Sequence, residues 1–130
     1  MSETVHASDR LHEDARLVES AARRIMDSIT GEWSCEGRPF VPEICSAAGT
    51  IIDATARLGV ALEKASLEIS NRAADCYIDR LGERTDATEQ VRAIAASLLI
   101  IGQSLRALPQ TVYATAAGLS SIGEREGACT

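Results

Sequence analysis

Aromatic residues are almost missing from this chain. They make up 3% of its 130 residues: one tryptophan, one phenylalanine and two tyrosines. Sheets favour aromatic and β-branched side chains, so the scarcity argues against a β-sandwich or barrel. Hydrophobic residues still reach 45%, and alanine supplies much of that share. Alanine-rich cores suit helices whose backbones pack closely, because little side-chain volume holds them apart. Prolines number only three, all near points where helices should begin or end.

Lysine is also scarce. Lys64 is the only one, and every other basic side chain is an arginine. The formal net charge of −6 argues against non-specific binding to nucleic acid or to an anionic membrane. The arginines alternate with acids at helical spacing, as in Glu19 with Arg23, Arg23 with Asp27, and Glu68 with Arg72. Such spacing describes solvated ion pairs rather than an anion-binding patch.

Signatures of chemistry are lacking as well. His6 and His12 are the only histidines. His12-Glu13 opens like the zinc-protease helix motif, but position 16 is Arg, where that motif needs its second histidine. There is no Cys-x-x-Cys, no Glu-x-x-His, no phosphate-cradling glycine loop, and no base paired with any of the serines. The carboxylate pairs Glu13–Asp14 and Asp75–Asp79 read as solvated helix charge. No catalytic residue, metal ligand or cofactor is therefore expected.

The segment Met1–His6 is polar and carries no apolar core of a secretory leader. A cytoplasmic protein with reduced thiols is expected on that basis. Cys76 reads as a small core residue, whereas Cys35 and Cys45 bracket a proline-containing connection and could pair if it folds back. The most apolar run, Ala93–Gly102, is interrupted by Ser97 and is about half of what a membrane span needs. It reads as a buried helix face, with no membrane partner.

What the chain does carry is helical periodicity. Residues 1–7 read as a disordered lead. Helix 1 is expected from Ser8 or Asp9 to Ile29 or Thr30, with the stripe Leu11, Ala15, Val18, Ala22, Ile25 and Ile29 alternating in steps of four and three. Helix 2 is expected from Pro42 to about Gly82, with Ile44, Ala48, Ile51, Thr55, Leu58, Leu62, Ala65 and Ile69 in the same alternation. Gly49 and Gly59 inside it point to close helix–helix approach or a mild bend. Asp86 and Glu89 match a capping box that opens helix 3. Its seam is Ala87, Val91, Ile94, Leu98, Ile101, Leu105 and Leu108. A shorter helix follows Pro109, with Val112, Ala116, Leu119 and Ile122, and residues 123–130 read as a flexible tail.

The connection 31–41 holds the only tryptophan, Trp33, and the only phenylalanine, Phe40. Large aromatics in such a place plug the end of a bundle or anchor a partner. Small helical hairpins of the WXG type place Trp-x-Gly in a turn of this sort. Here Cys35 stands where that motif needs glycine, so the motif fails and nothing is carried over from that family.

The fold expected is all-α: an elongated, antiparallel coiled-coil-like bundle of three long helices and a shorter C-terminal one, a single domain over residues 8–122. The function expected is non-enzymatic. The chain would act as an adaptor, chaperone or regulator that binds another protein through helical surfaces, and as a homo-oligomer. Trp33 and Phe40 are the candidate partner contacts, and Ile51, Leu58, Leu62 and Ile69 the candidate oligomer seam. The alternatives are a structural subunit of a phage or secretion apparatus and a small-molecule-binding bundle.

Overall fold

A computed structural model describes residues 2–31, 37–111 and 123. Helices dominate it, and the chain is of the helical-bundle class. Where one domain over residues 8–122 is expected, the chain divides into two compact units, Met1–Arg38 and Pro39–Thr130.

The first unit is one helix, α1, Ser2–Thr30. It starts ahead of Ser8, so the segment read as a lead belongs to the helix. Glu19 and Arg23 pair at 2.6 Å one turn apart. The Gly31 N–H donates to the Asp27 carbonyl at 3.0 Å and closes the last turn. The apolar stripe of α1 faces solvent: Leu11 is 74% exposed, and Val18, Ile25 and Ile29 are exposed too.

The second unit is built on α2, Val41–Asn71, and α3, Thr88–Arg106. Phe40 has extended backbone before α2, and its carbonyl accepts from the N–H groups of Glu43 at 2.9 Å and Ile44 at 3.1 Å. Pro42 sits in the first turn, where its missing N–H costs nothing. Helix α2 runs through Gly49 and Gly59 without a break.

It does not reach Gly82. After Asn71 comes a 3₁₀ turn, Ala73–Asp75, then an antiparallel hairpin of β1, Tyr77–Arg80, and β2, Glu83–Asp86. Residues 72–82, expected as the last turns of helix 2, therefore do not belong to α2. Tyr77, Ile78 and Thr85 are strand-prone residues, and Leu81-Gly82 makes a two-residue turn with φ of 54° and 86°. Two positive φ values in succession give the turn whose twist matches paired strands. The Arg84 guanidinium lies 4.5 Å from the Tyr77 ring centroid, across the strands. At the base of the hairpin, the Ala87 N–H donates to the Cys76 carbonyl at 3.1 Å. Asp86, the last residue of β2, accepts from the Thr88 hydroxyl at 2.7 Å, but the N-cap of α3 is Ala87 without a side-chain cap and Glu89 turns to Arg92 at 3.5 Å, so the expected capping box does not form. A short α4, Leu108–Thr111, follows; the rest of the expected fourth helix and the tail lie outside the described residues, apart from Gly123.

Helices α2 and α3 are antiparallel and meet through their smallest residues. A Cβ on Gly59 would stand 2.7 Å from the Gly102 carbonyl oxygen and 2.7 Å from the Arg106 nitrogen. A Cβ on Gly102 would stand 2.7 Å from the Gly59 carbonyl oxygen. Each glycine thus aims a Cα–H bond at the other's carbonyl, a weakly favourable contact that only a bare Cα permits. One heptad along, the Ser66 hydroxyl donates to the Ala95 carbonyl across the pair at 2.5 Å. Gly59, Ser66, Ala95 and Gly102 are all buried, as are Ala73 and Ala87 at the hairpin base.

The two α2 glycines therefore differ. Gly59→Ala should destabilise the protein by about 1–3 kcal/mol, since a backbone rather than a movable side chain fills the space. Gly49 has open space around its Cβ position, so Gly49→Ala should stabilise it by about 1 kcal/mol. Urea unfolding of the two variants checks both signs.

Candidate functional site

At about 100° per residue, the contact faces are centred on Gly59 and Ser66 in α2 and on Ala95 and Gly102 in α3. Everything else falls to one side of that crossing or the other. On one side Glu63 and Arg106 pair at 2.9 Å between the helices. The same side holds a shallow open cleft lined by Glu63, Leu67, Ser70, Arg92, Ala96 and Leu99, with Ser66 and Ala95 at its floor. Asp53 and Lys64 step off the crossing in that direction too. This is the charged side.

The opposite side of the hairpin carries Ile51, Leu58, Leu62 and Ile69 from α2, with Ile94 and Ile101 from α3. These residues turn off their glycines in the same sense along each helix, and antiparallel pairing brings the two turns to one side. Leu58 is 41% exposed, Ile94 56% and Ile101 48%. Ile51, Leu62 and Ile69 are half-buried. No charged residue lies in this stripe from Ile44 to Ile69 or across from it between Ala93 and Leu105. Its polar members are hydroxyls that are already satisfied. Thr55 donates to the Ile51 carbonyl at 2.7 Å, Ser97 to Ala93 at 3.1 Å and Ser104 to Ile100 at 2.9 Å. Such a face can be covered without leaving a polar group unpaired.

The α2 positions read from the sequence as an oligomer seam thus gather on one side of the hairpin, about 70–80° from the face that touches α3. Of the α3 seam read from the sequence, Ala87 is buried and Val91, Leu98, Leu105 and Leu108 are half-buried, with Leu105 against Gly59, while Ile94 and Ile101 flank Ala95 and Gly102 and are exposed. The physical reason is the glycines. Once the backbones touch, the bulky neighbours have no room between the helices.

The other candidate residues are less gathered. Phe40 is 48% exposed at the start of α2, while Trp33 lies outside the described residues. Cys45 and Cys76 are free and half-buried. Cys76 links the 3₁₀ turn to β1 and donates weakly to the Arg72 carbonyl, so it does not sit on a long helix. Cys35 lies outside the described residues. Among the described residues no three His, Cys, Asp or Glu side chains gather as a metal site. A depression beside His6, Asp9, Arg10 and Glu13 is formed by one helix surface and encloses nothing.

The β-hairpin stands where the sequence predicts the last turns of helix 2. Leu81 is fully exposed and holds a left-handed backbone, a place that suits glycine or asparagine. The alternation of strand-prone and charged residues around Leu81-Gly82 was the available signal.

No protein-family model matches the chain, and comparison with curated proteins and with solved structures finds no match.

Leu81 makes a simple test of local fit. Leu81→Gly should raise stability by about 1 kcal/mol by removing the left-handed cost of a side chain. Thermal and urea midpoints measure this, and a loss of stability would mean that the side chain contributes contacts to the fold.

Proposed function

We propose that this is a non-enzymatic protein-interaction protein, and that the uncharged side of the α2–α3 hairpin is where it docks an α-helix of a partner. The observation that carries the reading is the contrast between the two sides. One has an interhelical ion pair and further charges set among exposed Leu67 and Leu99. The other has large apolar side chains in the open, and hydroxyls already bonded to their own helix. Contiguous exposed apolar surface of this kind marks binding sites. Apolar residues on two adjacent helices offer a surface along which an amphipathic helix can lie.

Two features favour protein over lipid as the cover. Val41–Asn71 and Thr88–Gln110 are each long and apolar enough to cross a membrane, with mean hydropathies of 1.2 and 1.4. Yet the antiparallel register sets Arg57, Glu63, Lys64 and Glu68 of α2 beside the apolar run of α3. Burying four charged side chains at bilayer depth would cost on the order of 10 kcal/mol. A protein partner covers the uncharged side alone and leaves those charges wet. The small-molecule reading is disfavoured by a contact face of Gly, Ser and Ala that leaves no interior room. An assembly subunit would use the same surface and differs only in how many copies join.

Site-specific photo-crosslinking in the producing cell tests the proposal. A crosslinker at Leu58 or Ile101 should give discrete protein adducts, and one at Lys64 or Gln103 should give none. Absence of adducts from the apolar side, or equal labelling from every position, would overturn it.

A further inference from the structure

Leu81 is the most exposed large apolar side chain among the described residues. It also holds a backbone that a leucine adopts only at a cost. Its φ is 54°, followed by 86° at Gly82. The left-handed region crowds a Cβ against the following carbonyl, and glycine or asparagine suits it far better. A side chain wholly open to solvent repays none of that cost within the fold. A local rule broken without compensation points to function.

The hairpin holds this leucine firmly. At its base Ala73 and Ala87 are buried, and the Ala87 N–H donates to the Cys76 carbonyl at 3.1 Å. The register sets Asp79 opposite Arg84 and Arg80 opposite Glu83, so opposite charges face each other across the strands. The Arg84 guanidinium lies over the Tyr77 ring. The strands are thus matched by their own side chains. All of these residues belong to the second unit, and none of these contacts involves α1.

We propose that Leu81 is an anchor that enters an apolar pocket on another protein, while Asp79, Arg80, Glu83 and Arg84 pair with polar groups around the mouth of that pocket. This contact is distinct from the uncharged side of α2 and α3. A single apolar knob within a polar ring is the anatomy of a binding hot spot. A turn fixed in advance loses little entropy on binding. The flanking charges favour protein over lipid as the cover. Arg80 adjoins Leu81, and Glu83 follows Gly82, so a hydrocarbon layer that took the leucine would draw charge in with it. They also set the partner's chemistry. The tip brings both acids and arginines to the mouth of the pocket, so the rim must carry both signs. A rim of one sign would leave like charges facing.

Leu81→Asn and Leu81→Gly suit the left-handed turn and remove the anchor. Both should be at least as stable as the native chain, with circular dichroism and urea midpoints as the check. A photo-crosslinking residue at position 81 of the full-length chain, in the producing cell, should give a discrete adduct with a different protein. The same residue at Lys64 should not give that adduct. The adduct protein, identified by mass spectrometry and purified, is then titrated by calorimetry with the native chain and the variants. Leu81→Asn should weaken binding about thirtyfold or more, the scale of a hot-spot residue. Leu81→Met should keep most of the affinity.

No adduct from position 81 overturns the proposal, as does a partner that binds Leu81→Asn as tightly as the native chain. An adduct at twice the chain's mass would mean that a second copy covers the tip. Flotation with vesicles of phosphatidylcholine and phosphatidylglycerol, lost in Leu81→Asn, would mean that a membrane does. Either result overturns the proposal. So does a fall in stability in both variants, because the leucine would then pack within its own chain.

Discussion

Two glycines facing each other bring the backbones of α2 and α3 into direct contact, with Leu105 and Glu63 close beside them. At Gly59 and Gly102 the backbones themselves are the packing surface, and a single added methyl on either would enter the other's carbonyl. The rest of the second unit follows from that contact. Ser66 and Ala95 continue it one heptad away, with a hydroxyl reaching across to a carbonyl. Leu58 and Ile101, one residue before each glycine, are turned about 100° from the crossing and emerge on the same side. The acids and bases emerge on the other, where Glu63 and Arg106 pair.

Close approach has an energetic consequence. Among the described residues no large side chain is fully buried; the buried set is made of Gly, Ala and Ser. Burying a methyl or methylene is worth about 0.8 kcal/mol, against 1.5–3 kcal/mol for a whole leucine or isoleucine. The hairpin therefore gains contact enthalpy and specificity at its crossing but leaves much of its hydrophobic potential unused. That potential sits on the uncharged side and on α1. Covering it would add to stability as well as form a complex, so binding and folding are linked, and apparent stability should depend on what is bound.

Much of this was legible in the sequence, and the failures have identifiable causes. The four-and-three alternation located α1, α2 and α3, and the Asp86–Glu89 pattern lies at the start of α3, although Ala87 is the N-cap and no capping box forms. Glycine inside α2 pointed to close approach, which holds at Gly59 and not at Gly49. The helix faces were displaced because periodicity weights the largest apolar residues. In this hairpin the contact belongs to the smallest, and Leu58, Ile94 and Ile101 lie beside it. The β-hairpin was missed because Ala73, Cys76 and Leu81 can be threaded onto a helical stripe. Its turn, Leu81-Gly82, lacks the asparagine or aspartate that usually announces one. Ile51, Leu58, Leu62 and Ile69 were picked out as one stripe, and they do share a side. That they stand beside the α3 contact depends on the antiparallel register, which no single segment encodes.

Which residues meet between α2 and α3 decides what the uncharged side is. Nuclear Overhauser contacts in the isotopically labelled protein report this directly. Cross-peaks between the Hα protons of Gly59 and Gly102, joined by contacts from Ser66 Hβ to Ala95, are what the glycine crossing requires. If those are missing and the Leu58 methyls instead show contacts to Ile101 across the helix pair, the large residues face each other. The uncharged side would then be the interior of the hairpin rather than a surface for a partner.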